Sequence, residues 1–197
     1  MTATVNAVGD ACDIVIGHDS LMRLSWVFSR SSTEFMPPLA KALLASPLMQ
    51  SVWIVGRAIR LVAAYCLSPD DWRTLLANMA PAIRGHINDT CSAITNHLAA
   101  RVPGEEEIRQ LLDEAIRTEI APVLEKHGGR LDIVAVEGNT VFVTMGGGCQ
   151  GCAAASFTLR GDVDHIFRKV VPLLGVLVDS TDHESGRAPY FQTTNEA

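Results

Sequence analysis

Eight residues, Met145 to Cys152 (MGGGCQGC), constrain this chain more than any other stretch. They follow a strand-like run, Thr140 to Met145, and precede a helix-like run from about Ala153 to Val170. Cys149 and Cys152 are three apart, so both sulfurs can face one metal or cluster. The surrounding glycines lack Cβ atoms, which lets the backbone turn tightly and come close to whatever the sulfurs hold. A helix beginning at or just after Cys152 would set its positive end beside the thiols and favour the thiolate. The rest of the chain reads as support, delivery or partner choice for that dithiol.

The order of elements around this stretch sets the fold class. Glu105 to Lys126 is an amphipathic helix: acids lead it, and Ile108, Leu111, Leu112, Ala115, Ile116, Ile120, Val123 and Leu124 share a face. Pro122 removes one helical hydrogen bond and predicts a kink or a tightened last turn. Gly128-Gly129 ends the helix. Leu131 to Glu137 alternates as a strand, Gly138-Asn139 turns, and Thr140 to Met145 returns. After the cysteine loop and its helix, which Pro172 stops, Gly175 to Asp179 forms a third strand. This order is αββαβ.

Upstream, Asp13 to Gly17 and Leu21 to Phe28 read as strands, with Met1 to Ala11 a loose start. Pro37-Pro38 opens a short helix that ends at Ser46-Pro47. Ser51 to Val55 and Ala58 to Ala64 form a hairpin about Gly56-Arg57. Ser68-Pro69-Asp70-Asp71 is a helix start, and Trp72, Leu75, Leu76, Met79, Ile83 and Ile87 make its stripe. Trp53 and Trp72 both lie on apolar patterns and are expected in the core. The order here is ββαββα. The expected fold is therefore α+β in two small domains: residues 1–87, a linker over 88–104, a second domain over 105–191, and a tail over 192–197.

Charge supports the division. Residues 1–100 hold seven basic and seven acidic side chains, whereas residues 101–197 hold nine and fifteen, the whole net charge of −6. That balance argues against a nucleic-acid surface. No apolar run reaches the roughly 18–20 residues of a membrane span. Met1 to Asp13 carries acid and no base, which fits no targeting peptide, so a cytoplasmic location is the expectation. Five cysteines, only two of them close together, fit a reducing compartment better than a disulfide framework. Cys12, Cys66 and Cys91 are expected to be ordinary buried or half-buried thiols.

Several chemistries could use Cys149 and Cys152. Structural zinc needs four ligands, commonly two such pairs, and nothing near in sequence completes a site; His127, His165 and His183 are distant candidates. His127 is expected instead to serve the helix C-terminus. A thioredoxin-like dithiol–disulfide oxidoreductase also places its pair between strand and helix, but here Gln150-Gly151 lies between, without the aromatic and proline such motifs carry nearby. Two inert thiols would be buried, and a glycine-rich loop exposes them. A 4Fe–4S cluster takes four thiolates; one chain supplies two, so two chains would share it, and a 2Fe–2S cluster is also permitted.

Longer motifs narrow these alternatives. Pro122 to Gly129 (PVLEKHGG), Val136 to Val143 (VEGNTVFV), Gly148 to Cys152 (GCQGC) with Thr158-Leu159, and Asp182 to Gly186 (DHESG) with Pro189-Tyr190 stand in order. Residues from about 106 to 191 carrying them resemble the C-terminal NifU-like domain of the Nfu iron–sulfur proteins. Residues 13–87 resemble the Nfu N-terminal domain through Pro38 to Leu43 (PLAKAL), Gln50 to Trp53 (QSVW) and Asp71-Trp72. The resemblance implies a scaffold or carrier and no reaction on a small substrate. Cys149 and Cys152 of two subunits would hold one 4Fe–4S cluster, making a homodimer that receives the cluster from an upstream donor and passes it to apo iron–sulfur clients. Ala153-Ala154-Ala155 replaces a Pro-Ser-Ser-like segment frequent in that family, so hydroxyls near the cluster sulfurs are missing. The family's asparagine–proline opening of the first domain is not evident around His18 to Leu21.

Overall fold

A computed structural model describes residues 2–16, 24–30, 32, 35–148 and 159–181, with the side chains of His127, Leu159 and Arg160 outside that set. The chain divides into two compact α+β units, Met1–Val102 and Pro103–Ala197.

The first unit is a five-stranded antiparallel sheet in the order β1-β2-β5-β4-β3: β1 (Thr2–Val5), β2 (Ala11–Val15), β3 (Trp26–Ser29), β4 (Met49–Val55) and β5 (Ala58–Ala63). Strand alternation decides which side is covered. Cys12 and Ile14, Ile59 and Leu61, Val52 and Ile54, and Trp26 and Phe28 are buried, as are the inner faces of α1 (Pro38–Leu44; Leu39, Leu43) and α2 (Pro69–His97; Trp72, Met79, Ile83). The opposite side carries Asp13, Arg60, Trp53 and Val27 in register across four strands. Trp53 thus lies outside the core, half-buried with Arg60 over its ring at 5.6 Å, contrary to the expectation from its apolar neighbours. Period-2 alternation is blind to which face is covered. Trp72 is buried as expected, its indole N–H donating to the Gly9 carbonyl at 2.8 Å.

Two differences from the sequence reading have local causes. Residues 2–5, read as a loose start, pair with β2 as an edge strand whose four side chains are all exposed. Such a strand leaves no hydrophobic alternation to find. Residues 88–97, read as linker, continue α2 to His97. The stripe of that helix runs on through Ile87, Thr90 and Ile94, all buried. Thr90 hides the continuation because it is polar, yet its hydroxyl accepts the Leu39 N–H at 3.0 Å. That donor belongs to the first turn of α1, whose N-cap, Pro37, offers no side-chain cap. The start of α2 is as the sequence implies: Ser68 and Asp71 exchange side-chain and backbone hydrogen bonds in a capping box.

The second unit opens with α3 (Glu105–Ala115), then a π turn (Ile116–Ile120), α4 (Ala121–Leu124) and a 3₁₀ turn (Glu125–His127). Pro122 explains the break. It cannot donate to the carbonyl four residues back and its ring crowds that carbonyl. The helix widens just before it, with the Ala121 N–H reaching the Ile116 carbonyl, and tightens just after it. Gly128 closes the helix in the left-handed region at φ 66°.

Strands β6 (Gly129–Glu137) and β7 (Thr140–Gly147) form an antiparallel hairpin, and β8 (Leu177–Asp179) adds parallel to β7, giving the order β6-β7-β8. A parallel neighbour requires a crossover, which here contains a π turn (Leu159–Val163) and α5 (Asp164–Val170). The core lies between helices and sheet: Ile108, Leu112, Val141, Val143, Phe167 and Val171 are buried. A bulge in β6 leaves Val134 55% exposed, and the Arg109 guanidinium from α3 donates to the carbonyls of Ile133 and Val134 at 3.3 and 3.2 Å. The expected helix start at residues 153–158, the turn at Gly17 to Ser20, and Tyr190 and Phe191 lie outside the described residues.

Candidate metal-binding site

The cysteine loop begins where β7 ends. β7 is the middle strand of its sheet, and the crossover to β8 leaves from its C-terminal end. Cys149 and Cys152 themselves lie outside the described residues; their anchor does not.

Three glycines precede Cys149; one faces Arg130 and the other two meet Gly128. Gly146 pairs with Arg130 across the hairpin, and a Cβ on it would approach the Arg130 Nε at 2.7 Å. Arg130 is a mobile, largely exposed side chain that pairs with Asp132 at 3.1 Å. Gly147 has φ 63°, and a Cβ there would be driven into the Gly128 carbonyl oxygen. The Gly148 N–H donates to that same carbonyl at 2.7 Å. The loop therefore leaves the sheet tied, backbone to backbone, to the glycine that caps the α3–α4 helical segment. The strand is anchored on its other side too, because the Met145 N–H donates to the Thr181 hydroxyl at 2.8 Å. Sequence reading missed the Gly128 tie: the two partners are far apart in the chain, and a glycine run names no partner. The one available signal was that HGG and GGG fall at facing ends of one hairpin.

The other cysteines are in the first unit, and their surroundings differ. Cys12 is buried on β2, where desolvation and the Asp13 carboxylate push its thiol above the ordinary range. Desolvation also raises the thiol of half-buried Cys91. Both changes oppose the thiolate that metals take. Cys66 is exposed, where a buried or half-buried thiol was expected; it lies in the bend after β5, beyond the last paired residue, Ala63. Among the described residues no three His, Cys, Asp or Glu side chains gather as a metal site. His165 is exposed on α5, while His183 and the His127 ring fall outside the described residues.

The family model described as "NifU-like domain" matches residues 112–175, a span running from α3 through both cysteines and α5 to the approach of β8. Residues 112–175 thus match the NifU-like domain. The chain is also similar to curated proteins. Fe/S biogenesis protein NfuA of Acinetobacter baylyi is 35% identical over 102 residues, covering 49% of this chain and 48% of that protein. Fe/S biogenesis protein NfuA of Stenotrophomonas maltophilia is 40% identical over 84 residues, covering 42% of each. Fe/S biogenesis protein NfuA of Acinetobacter baumannii is 34% identical over 102 residues. The chain spans about half the length of the curated relatives it matches. Among the described residues, no helix is long and apolar enough to cross a membrane.

The site residues suit an iron–sulfur cargo on two counts. The donor set, two thiols three residues apart, is of the type such clusters take. The backbone before them is cleared of Cβ atoms, with Gly147 and Gly148 exposed at the C-terminal end of the middle strand.

Proposed function

We propose that this chain is an iron–sulfur cluster scaffold or carrier, not an enzyme, whose NifU-like domain holds a 4Fe–4S cluster between two subunits and yields it to apo-proteins. The observation that carries the reading is that the NifU-like match encloses Cys149 and Cys152. The cargo arrives from an upstream donor. Cys149 and Cys152 of each subunit supply the thiolates, four in all, and a 2Fe–2S cluster is compatible with the same pair. Delivery is ligand exchange: a client thiolate replaces a carrier thiolate, and no bond of a small substrate is made or broken. A site shared between chains suits release. In this reading residues 105–191 form the cluster-binding domain, and the first domain docks clients. A cytoplasmic location completes the proposal.

Substituting Cys149→Ser tests it. Reconstituted anaerobically, the variant is expected to lose both the brown chromophore and the cluster-linked dimer, and retention of both would sink the reading. A colourless parent chain that reduces disulfides would favour a dithiol–disulfide oxidoreductase instead. Because protons compete for thiolates, cluster retention by the parent should fall as the solution is acidified.

A further inference from the structure

We infer that the backbone lock between Gly128 and Gly147-Gly148 is a positioning device for the dithiol. This rests on the reading of Cys149 and Cys152 as ligands. The lock has three parts. Gly147 takes φ 63°, a region L side chains rarely adopt, at the last paired position of the hairpin, opposite Gly129. The atoms nearest a Cβ at Gly147 are all backbone, the Gly128 carbonyl and the Gly129 Cα, so no side-chain rotation can relieve the clash. The Gly148 N–H then bonds the Gly128 carbonyl at 2.7 Å, one residue before Cys149.

The other end of the lock is fixed as well. The Gly128 N–H donates to the Glu125 carbonyl at 2.9 Å, ending a helical segment that buries Ile120 and Leu124. Cys149 thus continues from a backbone whose position is set by a packed helix and a paired strand. A dithiol that must close on one centre gains from such a fixed origin, because less ordering is left for the moment of binding. Gly146 provides the contrast. Its neighbour is a flexible Arg130 side chain that can swing aside, so a methyl there leaves the lock closed.

The test compares Gly147→Ala with Gly146→Ala in the full chain. Phenylarsine oxide, whose arsenic takes two neighbouring thiols, reads the dithiol without iron; urea unfolding reads the fold. With Gly147→Ala, affinity for the arsenical should fall about 10–100-fold, the range for disturbed support of a metal ligand, with bound iron falling in step. The urea midpoint should fall too, because the strain sits in the folded state, so affinity is compared in chains shown to be folded without urea. Gly146→Ala should match the parent in all three. Equal affinity in Gly147→Ala and the parent, or equal losses in both variants, would overturn the inference. If Gly147→Ala fails to fold, one glycine inserted between Gly148 and Cys149 leaves the lock intact and displaces the cysteine from it. Weakened arsenical binding then supports the inference, and unchanged binding overturns it. A parent chain that binds the arsenical but takes up no iron refutes the carrier reading and leaves the lock standing.

Discussion

The two units treat their polar groups and glycines in opposite ways. In the first, long-range polar ties turn inward. The Trp72 indole reaches the Gly9 carbonyl, Thr90 caps α1 from α2, and Cys12 is sealed within a sheet. In the second, ties collect at the two ends of one hairpin. At the turn, the Glu105 carboxylate accepts the Gly138 N–H at 2.7 Å and the Asn139 side chain donates to the Leu173 carbonyl at 2.9 Å. At the open end, Gly148 and Met145 are held by Gly128 and Thr181. The difference teaches where chemistry can reside. A cysteine inside a strand is desolvated and held as the thiol, whereas the proposed ligands follow a glycine-anchored strand end.

If that contrast is right, substitutions in the first unit should move stability and leave iron uptake per folded chain alone. The largest effect is expected from Trp72→Ala, which removes a fully buried ring and its hydrogen bond and should cost about 3–5 kcal/mol in urea unfolding. Loss of iron binding in proportion to that cost would break the contrast. Thr90→Val keeps the shape and removes the acceptor, orphaning the buried Leu39 N–H; about 1–3 kcal/mol is expected.

Asp13→Asn should do least. The side-chain hydrogen bond from Arg60 holds the Asp13 carboxyl below its ordinary range, against the opposing pull of burial. A depressed folded pKa means the pair stabilises above the unfolded carboxylate value, about 3.9, and loses that contribution as pH falls through the lower folded value. Both partners are over a third exposed, so solvent screening limits the difference to less than about 1 kcal/mol. Stability curves of parent and variant should therefore separate at neutral pH and merge in acid. A gap that widened on acidification would contradict this assignment.

Much of this architecture is legible in the residues themselves. Ser68 and Asp71 announce a helix start because their side chains act on their own backbone. Gly56, Gly128 and Gly138 announce turns because only glycine accepts their positive φ cheaply. Features made between distant segments are not legible this way. Thr90 interrupts an apolar stripe for the sake of a donor far back in the chain, and Trp53 is aromatic on a face the fold leaves open. The π turn before Pro122 was foreshadowed only as some disturbance of the helix. The site divides likewise: Cys149 and Cys152 stand out by spacing, while the role of Gly147 emerges only once Gly128 is brought against it.

The central claim is that one chain supplies half the ligands of a shared cluster. Its most direct test is iron, acid-labile sulfide and mass measured together on the parent chain after anaerobic reconstitution. About two iron and two sulfide per chain in a species with the mass of two chains is the expected result. A pale species with the mass of one chain, at any excess of iron and sulfide, would contradict it.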